Sequence, residues 1–67
     1  MRVGQEPEER AGCRVIRETA KALLVCLDDG REVWIPKSQI HDDSEIWKPG
    51  DAGTLVVNGW WAEKEGI

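Results

Sequence analysis

The residues able to carry chemistry are few, and most fall in turn-forming sequence. His41 stands alone beside Asp42-Asp43-Ser44-Glu45, a second acidic pair, Asp28-Asp29, precedes Gly30, and Cys13 and Cys26 lie in separate apolar stretches. Catalysis needs a nucleophile or an acid–base pair held in a water-excluding pocket, whereas aspartates in turns bond their own backbone. The Asp42 to Glu45 stretch lacks the alternating ligands and central glycine of a calcium loop. The cysteines are not spaced as C-x-x-C, and with one histidine they cannot complete a four-ligand zinc site. These residues point to a non-catalytic chain that holds no metal and no cofactor.

Binding chemistry is better represented. Trp34-Ile35-Pro36-Lys37-Ser38-Gln39 joins an indole, a cation and hydrogen-bonding side chains, with Arg31 just before it. Such a set suits single-stranded nucleic acid, a base stacking on Trp34 while Lys37 or Arg31 meets a phosphate and Gln39 adds a polar contact. The plainer alternative is a strand that ends in a turn, its tryptophan covered by another element. Thirteen acidic against nine basic side chains leave a net charge of −4. That balance opposes charge-driven attachment to nucleic acid or to anionic lipid. Arg10, Arg14, Arg17 and Lys21 gather early in the folded region, where a solvated strand surface accounts for them.

Sixty-seven residues make one domain at the lower edge of independent stability, where a staple is usually needed. Trp34, Trp47, Trp60 and Trp61 are all of the aromatic content. Each indole can bury on the order of 150–250 Å², and tryptophan is also enriched at interaction hot spots. Of the four, two or three are expected in the core and one or two at a partner's disposal.

The elements that must position these residues are mostly strands. Residues 1–12, rich in Glu and Arg, read as a flexible arm, and 13–67 as a single small β domain. Cys13 to Thr19 alternates as a strand, and Lys21 to Leu27 is apolar on both faces. Asp28-Asp29-Gly30 followed by Arg31 to Pro36 completes a β-hairpin. A two-residue Asp29-Gly30 loop sets Leu24 opposite Ile35, Val25 opposite Trp34 and Cys26 opposite Val33. Leu24, Cys26, Val33 and Ile35 then form the core face. Leu23, Val25, Leu27 and Trp34 form a second apolar face that a helix, a second copy or a ligand must cover.

Lys37 to Ile40 reads as a turn or a single helical turn that carries Ile40 inward, His41 to Ser44 as a polar loop and Glu45 to Trp47 as a short strand. Lys48-Pro49-Gly50-Asp51 is a turn, Gly53 to Val57 a closing strand, and Asn58 caps a helix over Gly59 to Glu65 that Gly66 stops. The predicted fold is mainly β: a small open β-barrel, SH3-like or OB-like, of about five short strands with a short C-terminal helix. No signal-peptide pattern and no run of ~18 apolar residues is present, so a cytoplasmic chain with no membrane partner is expected, Cys13 and Cys26 being small apolar thiols in the reducing cytosol or a strand-to-strand bridge under oxidation.

From Val15 to Ile67 the chain resembles a group of small proteins encoded by bacteriophages, plasmids and integrated elements of bacteria. The likeness rests on KALLV, the acidic-glycine turn, VWIPKSQI, a variable acidic loop, and a closing strand followed by WAEKEG. The resemblance implies a mobile-element setting and supplies no catalytic residues. That setting suggests a protein-interaction module, for example an inhibitor of a host defence complex, whose acidic surface of Asp28, Asp29, Asp42, Asp43 and Glu45 would compete with nucleic acid, a reading that the net charge of −4 favours. The alternative is an accessory single-stranded nucleic-acid-binding protein of replication or recombination. Self-association through the Trp34 face and an exposed sheet edge is a third reading.

Overall fold

A computed structural model describes residues 7–67. Four antiparallel strands, β1 Glu8–Glu18, β2 Ala22–Cys26, β3 Glu32–Pro36 and β4 Ala52–Val57, make one sheet in the order β3-β2-β1-β4. A 3-10 turn, Lys37–Gln39, follows β3, and helix α1, Gly59–Glu65, follows β4. The mainly β expectation with a short C-terminal helix therefore holds.

The chain enters the sheet earlier than its composition suggests. Glu8 to Gly12, expected within the arm, belong to β1, while residues 1–6 of that arm lie outside the described residues. Glu8, Glu9 and Arg10 pair with Val57, Val56 and Leu55. The Arg10 guanidinium reaches the Glu8 carboxylate and donates to the Ile67 carbonyl at 2.7 Å. Backbone pairing thus orders a segment whose side chains carry no apolar pattern. At Gly12 (φ +73°) the β1–β4 register slips by one residue, a bulge that glycine accommodates without strain. A Cβ built on Gly12 would lie 2.9 Å from Asp28 Cβ, so the bulge also needs glycine for space.

The hairpin forms, but one residue out of the expected register. Leu27 N–H donates to the Arg31 carbonyl at 2.7 Å and Gly30 N–H to the Leu27 carbonyl at 3.0 Å, so Asp28-Asp29-Gly30 is the loop, with Gly30 at φ +93°. A turn over the two aspartates followed by a left-handed glycine is the usual three-residue hairpin loop. Leu24 consequently faces Trp34, and Leu23 faces Ile35. Because side chains alternate, this slip reverses the faces of β2: Leu23, Val25 and Leu27 are buried with Ile35, while Leu24 and Cys26 turn outward with Trp34.

The core gathers Cys13 and Val15 of β1, the inward residues of the hairpin, Leu55 and Val57 of β4, and Trp61 and Ala62 of α1. The helix therefore covers the inner face, not the face of Trp34. Asn58 occupies the position before α1, yet its amide donates to Gln39 Oε1 at 3.0 Å instead of capping the helix.

The expected strand over Glu45 to Trp47 is irregular chain, because its polar groups find other partners. The Trp47 indole N–H donates to the Ser44 carbonyl at 2.8 Å, and the Trp47 backbone N–H donates to Asp51 Oδ2 at 2.9 Å. This loop still covers the free side of β4: Ile40 bridges Val57, His41 N–H donates to the Val56 carbonyl at 2.8 Å, and Glu45 N–H donates to the Thr54 carbonyl at 3.0 Å.

Candidate functional site

The outward face of the sheet carries the most distinctive surface. Residues directly opposite in neighbouring antiparallel strands project to the same side. Trp34 opposes Leu24 and Leu24 opposes Arg17, which makes a row across three strands. A second row runs from Glu32 through Cys26 to Arg14. Between them the β1–β2 register slips after Val15, a bulge that leaves Ile16 37% exposed. Ile16, Arg14 and Cys26 line a shallow depression that ends at Asp28 and Gly30 of the hairpin loop. Trp34 is 49% exposed although its backbone lies within a regular ladder.

Arg14 and Arg17 give this face two cations on β1, with the Glu32 carboxylate at the other end of the second row. Among the described residues, no carboxylate lies within ion-pair distance of either guanidinium. Both lie exposed on the solvent side of β1, the strand surface expected for them. Their grouping near the start of the domain is visible in the sequence, but their place on one face with Trp34, across β2, depends on strand order and on the bulge at Ile16.

The other residues singled out from the sequence serve mainly to hold the fold. Arg31 donates from its backbone N–H to Asp29 Oδ1 at 3.0 Å and from Nε to Asp29 Oδ2 at 2.9 Å, which clasps the hairpin loop. The first of these bonds is the main reason that the Asp29 carboxyl is held below the usual carboxylate range. Lys37 Nζ lies 2.6 Å from Glu18 Oε2, tying the 3-10 turn to the end of β1. Gln39 is occupied by Asn58. Glu45 Oε1 accepts from Thr54 N–H at 3.0 Å.

Asp42 and Asp43 are exposed on the loop beside β4, with the Asp43 N–H donating to His41 Nδ1 at 3.1 Å. The structure does not bring Asp42, Asp43 and Glu45 together with Trp34. Arg31 and Lys37 flank β3 at opposite ends, about 20 Å apart at ~3.3 Å per residue, so they do not form one cationic cluster.

The remaining reactive groups are separated. Arg14, not Cys13, is the cross-strand partner of Cys26, so the two thiols project to opposite sides of the sheet. Cys13 is buried, and burial followed by the charge of Asp28 pushes its thiol pKa up. No cluster of three or more His, Cys, Asp or Glu side chains that could hold a metal occurs among the described residues. No helix among them is long and apolar enough to cross a membrane.

Trp60, on the outer side of α1, is the second half-exposed indole at 49%, and Lys64 Nζ lies 5.8 Å from its ring centre. Trp61 is buried and Trp47 packs against the core from its loop.

Comparison with protein-family models, with curated proteins and with solved structures finds no match to this chain.

Proposed function

We propose that this chain is a non-catalytic protein-interaction module that binds through the outward sheet face centred on Trp34. One observation carries the reading: a half-exposed tryptophan heads a row that continues through Leu24 to Arg17, with Ile16 and Arg14 beside it. Tryptophan and arginine dominate binding energy where they meet a partner, because the indole brings large area at little conformational cost and the guanidinium forks onto carboxylates. The partner favoured by this surface has an apolar group for Trp34 and a carboxylate for Arg14 or Arg17.

In the finer architecture we read a small open barrel of SH3-like or OB-like type. The bridge from Ile40 to Val57 supports this, since it returns the chain after β3 to the far edge of β4. In a bacteriophage or other mobile element, acting in the cytoplasm, such a module would engage a host component, a defence complex among them. Asp42 and Asp43, exposed on the loop that covers the free side of β4, offer a second, acidic contact in that setting.

The same face favours one alternative, single-stranded nucleic acid, with a base on Trp34 and phosphates at Arg17 and Arg14. This differs from the Arg31, Lys37 and Gln39 contact set, whose side chains are engaged within the fold.

The two readings separate in one experiment. Immobilised wild type, Trp34→Ala and Trp60→Ala chains are offered a bacterial extract, and intrinsic tryptophan fluorescence is titrated with a short single-stranded oligonucleotide at low and high salt. A protein retained by wild type and by Trp60→Ala but lost from Trp34→Ala supports the interaction module. Salt-sensitive quenching that Arg14→Ala and Arg17→Ala weaken establishes the alternative in its place. Binding of neither kind removes both.

A further inference from the structure

We infer that two copies of this chain pair edge to edge through β3, in antiparallel register centred on Val33. The two edges of the sheet differ. The free side of β4 is occupied by the loop carrying Ile40, His41 and Glu45. Nothing among the described residues occupies the free side of β3.

Alternation identifies which backbone groups are open there. Leu27 donates to Arg31 at one end of the hairpin, and Lys37 donates to Lys21 at the other, each at 2.7 Å. The bonded pairs between these limits are Val25 with Val33 and Leu23 with Ile35. Glu32 and Trp34 therefore direct their N–H and C=O groups outward, and no backbone or side-chain group among the described residues meets them. An open row of this kind is a template for another strand.

Only a few self-pairings satisfy that row, and charge selects among them. Centring on Trp34 sets Arg31 opposite the second copy's Lys37, two like charges, which is unfavourable in directly opposed positions. Centring on Val33 sets Glu32 opposite the second copy's Trp34, twice by symmetry, and each pair exchanges both of its open hydrogen bonds. Arg31 then meets Ile35, and Pro36, which has no N–H to offer, lies opposite Gly30, whose Cβ position is clear of other atoms.

The acidic hairpin loop of one copy, Asp28 and Asp29, comes alongside the end of the other that carries Lys21 and Lys37. The two Trp34 side chains become diagonal neighbours on one face, a distance that aromatic groups bridge. The row from Arg17 through Leu24 to Trp34 of each copy then continues into the second copy's row from Glu32 through Cys26 to Arg14. This assembly is independent of the partner reading above and is measured without a partner.

The test is the molar mass in solution, by sedimentation equilibrium over a range of concentrations. The full chain is expected to approach twice its 7.5 kDa mass as concentration rises. Glu32→Pro removes one outward donor and none of the β2–β3 ladder bonds, and is expected to remain monomeric at the same concentrations. A wild type that stays monomeric throughout overturns the inference, as does a Glu32→Pro chain that dimerises equally well.

Should that variant fail to fold, amide exchange in the wild type decides. The Glu32 and Trp34 amides should slow toward the rates of Val33 and Ile35 as concentration rises. Fast exchange of both in a dimeric sample places the contact elsewhere and overturns β3 pairing.

Discussion

Leu24 and Trp34 are cross-strand neighbours on the solvent side of the sheet, and the indole keeps half of its surface exposed there. Such a pair adds to the sheet without belonging to the core. Trp34→Ala should lower stability by about 1 kcal/mol or less. Trp61→Ala, which empties a buried site in the main cluster, should cost about 3–5 kcal/mol. Urea denaturation of the two variants checks the contrast, and comparable losses would place Trp34 in the core.

Gly12 and Gly30 both have positive φ, but they differ in surroundings. At Gly30 a new Cβ meets nothing within 4 Å, so alanine there should cost only the left-handed strain of roughly 1–2 kcal/mol. At Gly12 the Cβ also strikes Asp28 Cβ, an atom fixed to its own backbone. Gly12→Ala should therefore destabilise more than Gly30→Ala, with Asp28→Gly recovering part of the difference. Equal urea midpoints for the two alanine variants would contradict the bulge.

Asp51 Oδ2 accepts from Trp47 N–H at 2.9 Å and from Lys48 N–H at 3.0 Å, and these bonds hold its carboxyl below the usual range. A carboxyl depressed in the folded state stabilises fully above its unfolded pKa and loses that contribution as pH falls through the folded value. The stability gap between wild type and Asp51→Ala should stay level from neutral to mildly acidic pH and shrink in stronger acid. Urea midpoints measured across that range test the sign, since a gap that widens in acid would be incompatible with these bonds.

Removing residues 1–10 deletes the pairing of Glu8, Glu9 and Arg10 with β4 and the bond from Arg10 to the Ile67 carbonyl. The melting temperature should fall by at least ~5 °C, since in a domain of this size each kcal/mol shifts it by roughly 4–8 °C. An unchanged melting curve would return the segment to the status of a loose arm.

Cys26 sits half-buried on the outward face, while Cys13 is buried with its thiol pKa pushed up. A thiol reagent should modify one cysteine quickly and the other only on unfolding. A mild oxidant should produce no internal disulfide between them, and mass spectrometry of the oxidised chain reads both outcomes.

Much of this architecture was legible because glycine, proline and acidic turns mark its boundaries. The hairpin, the inward turn at Ile40, the strand ending at Val57 and the helix ending before Gly66 follow from such signals. The register was not, because Asp28-Asp29-Gly30 fits a loop of two residues or of three, and β2 is apolar at nearly every position. Its pattern therefore did not say which face was inner. Nothing in the sequence of Glu8 to Arg10 marks a strand, because their order comes from Val57, Val56 and Leu55, far along the chain. At the candidate site Trp34 could be singled out by type, but Arg14 and Arg17 joined it only through strand order and the bulge at Ile16.

The pairing of Glu8 with Val57 has a kinetic side. The hairpin of β2 and β3 joins neighbours in sequence and can close early, but β1 finds its second partner only after most of the chain has been made. Closing so long a loop is an entropic barrier that local contacts do not lower, so sheet completion, not hairpin formation, should limit the folding rate. During synthesis on the ribosome the N-terminal strand would wait with one side open until β4 emerges.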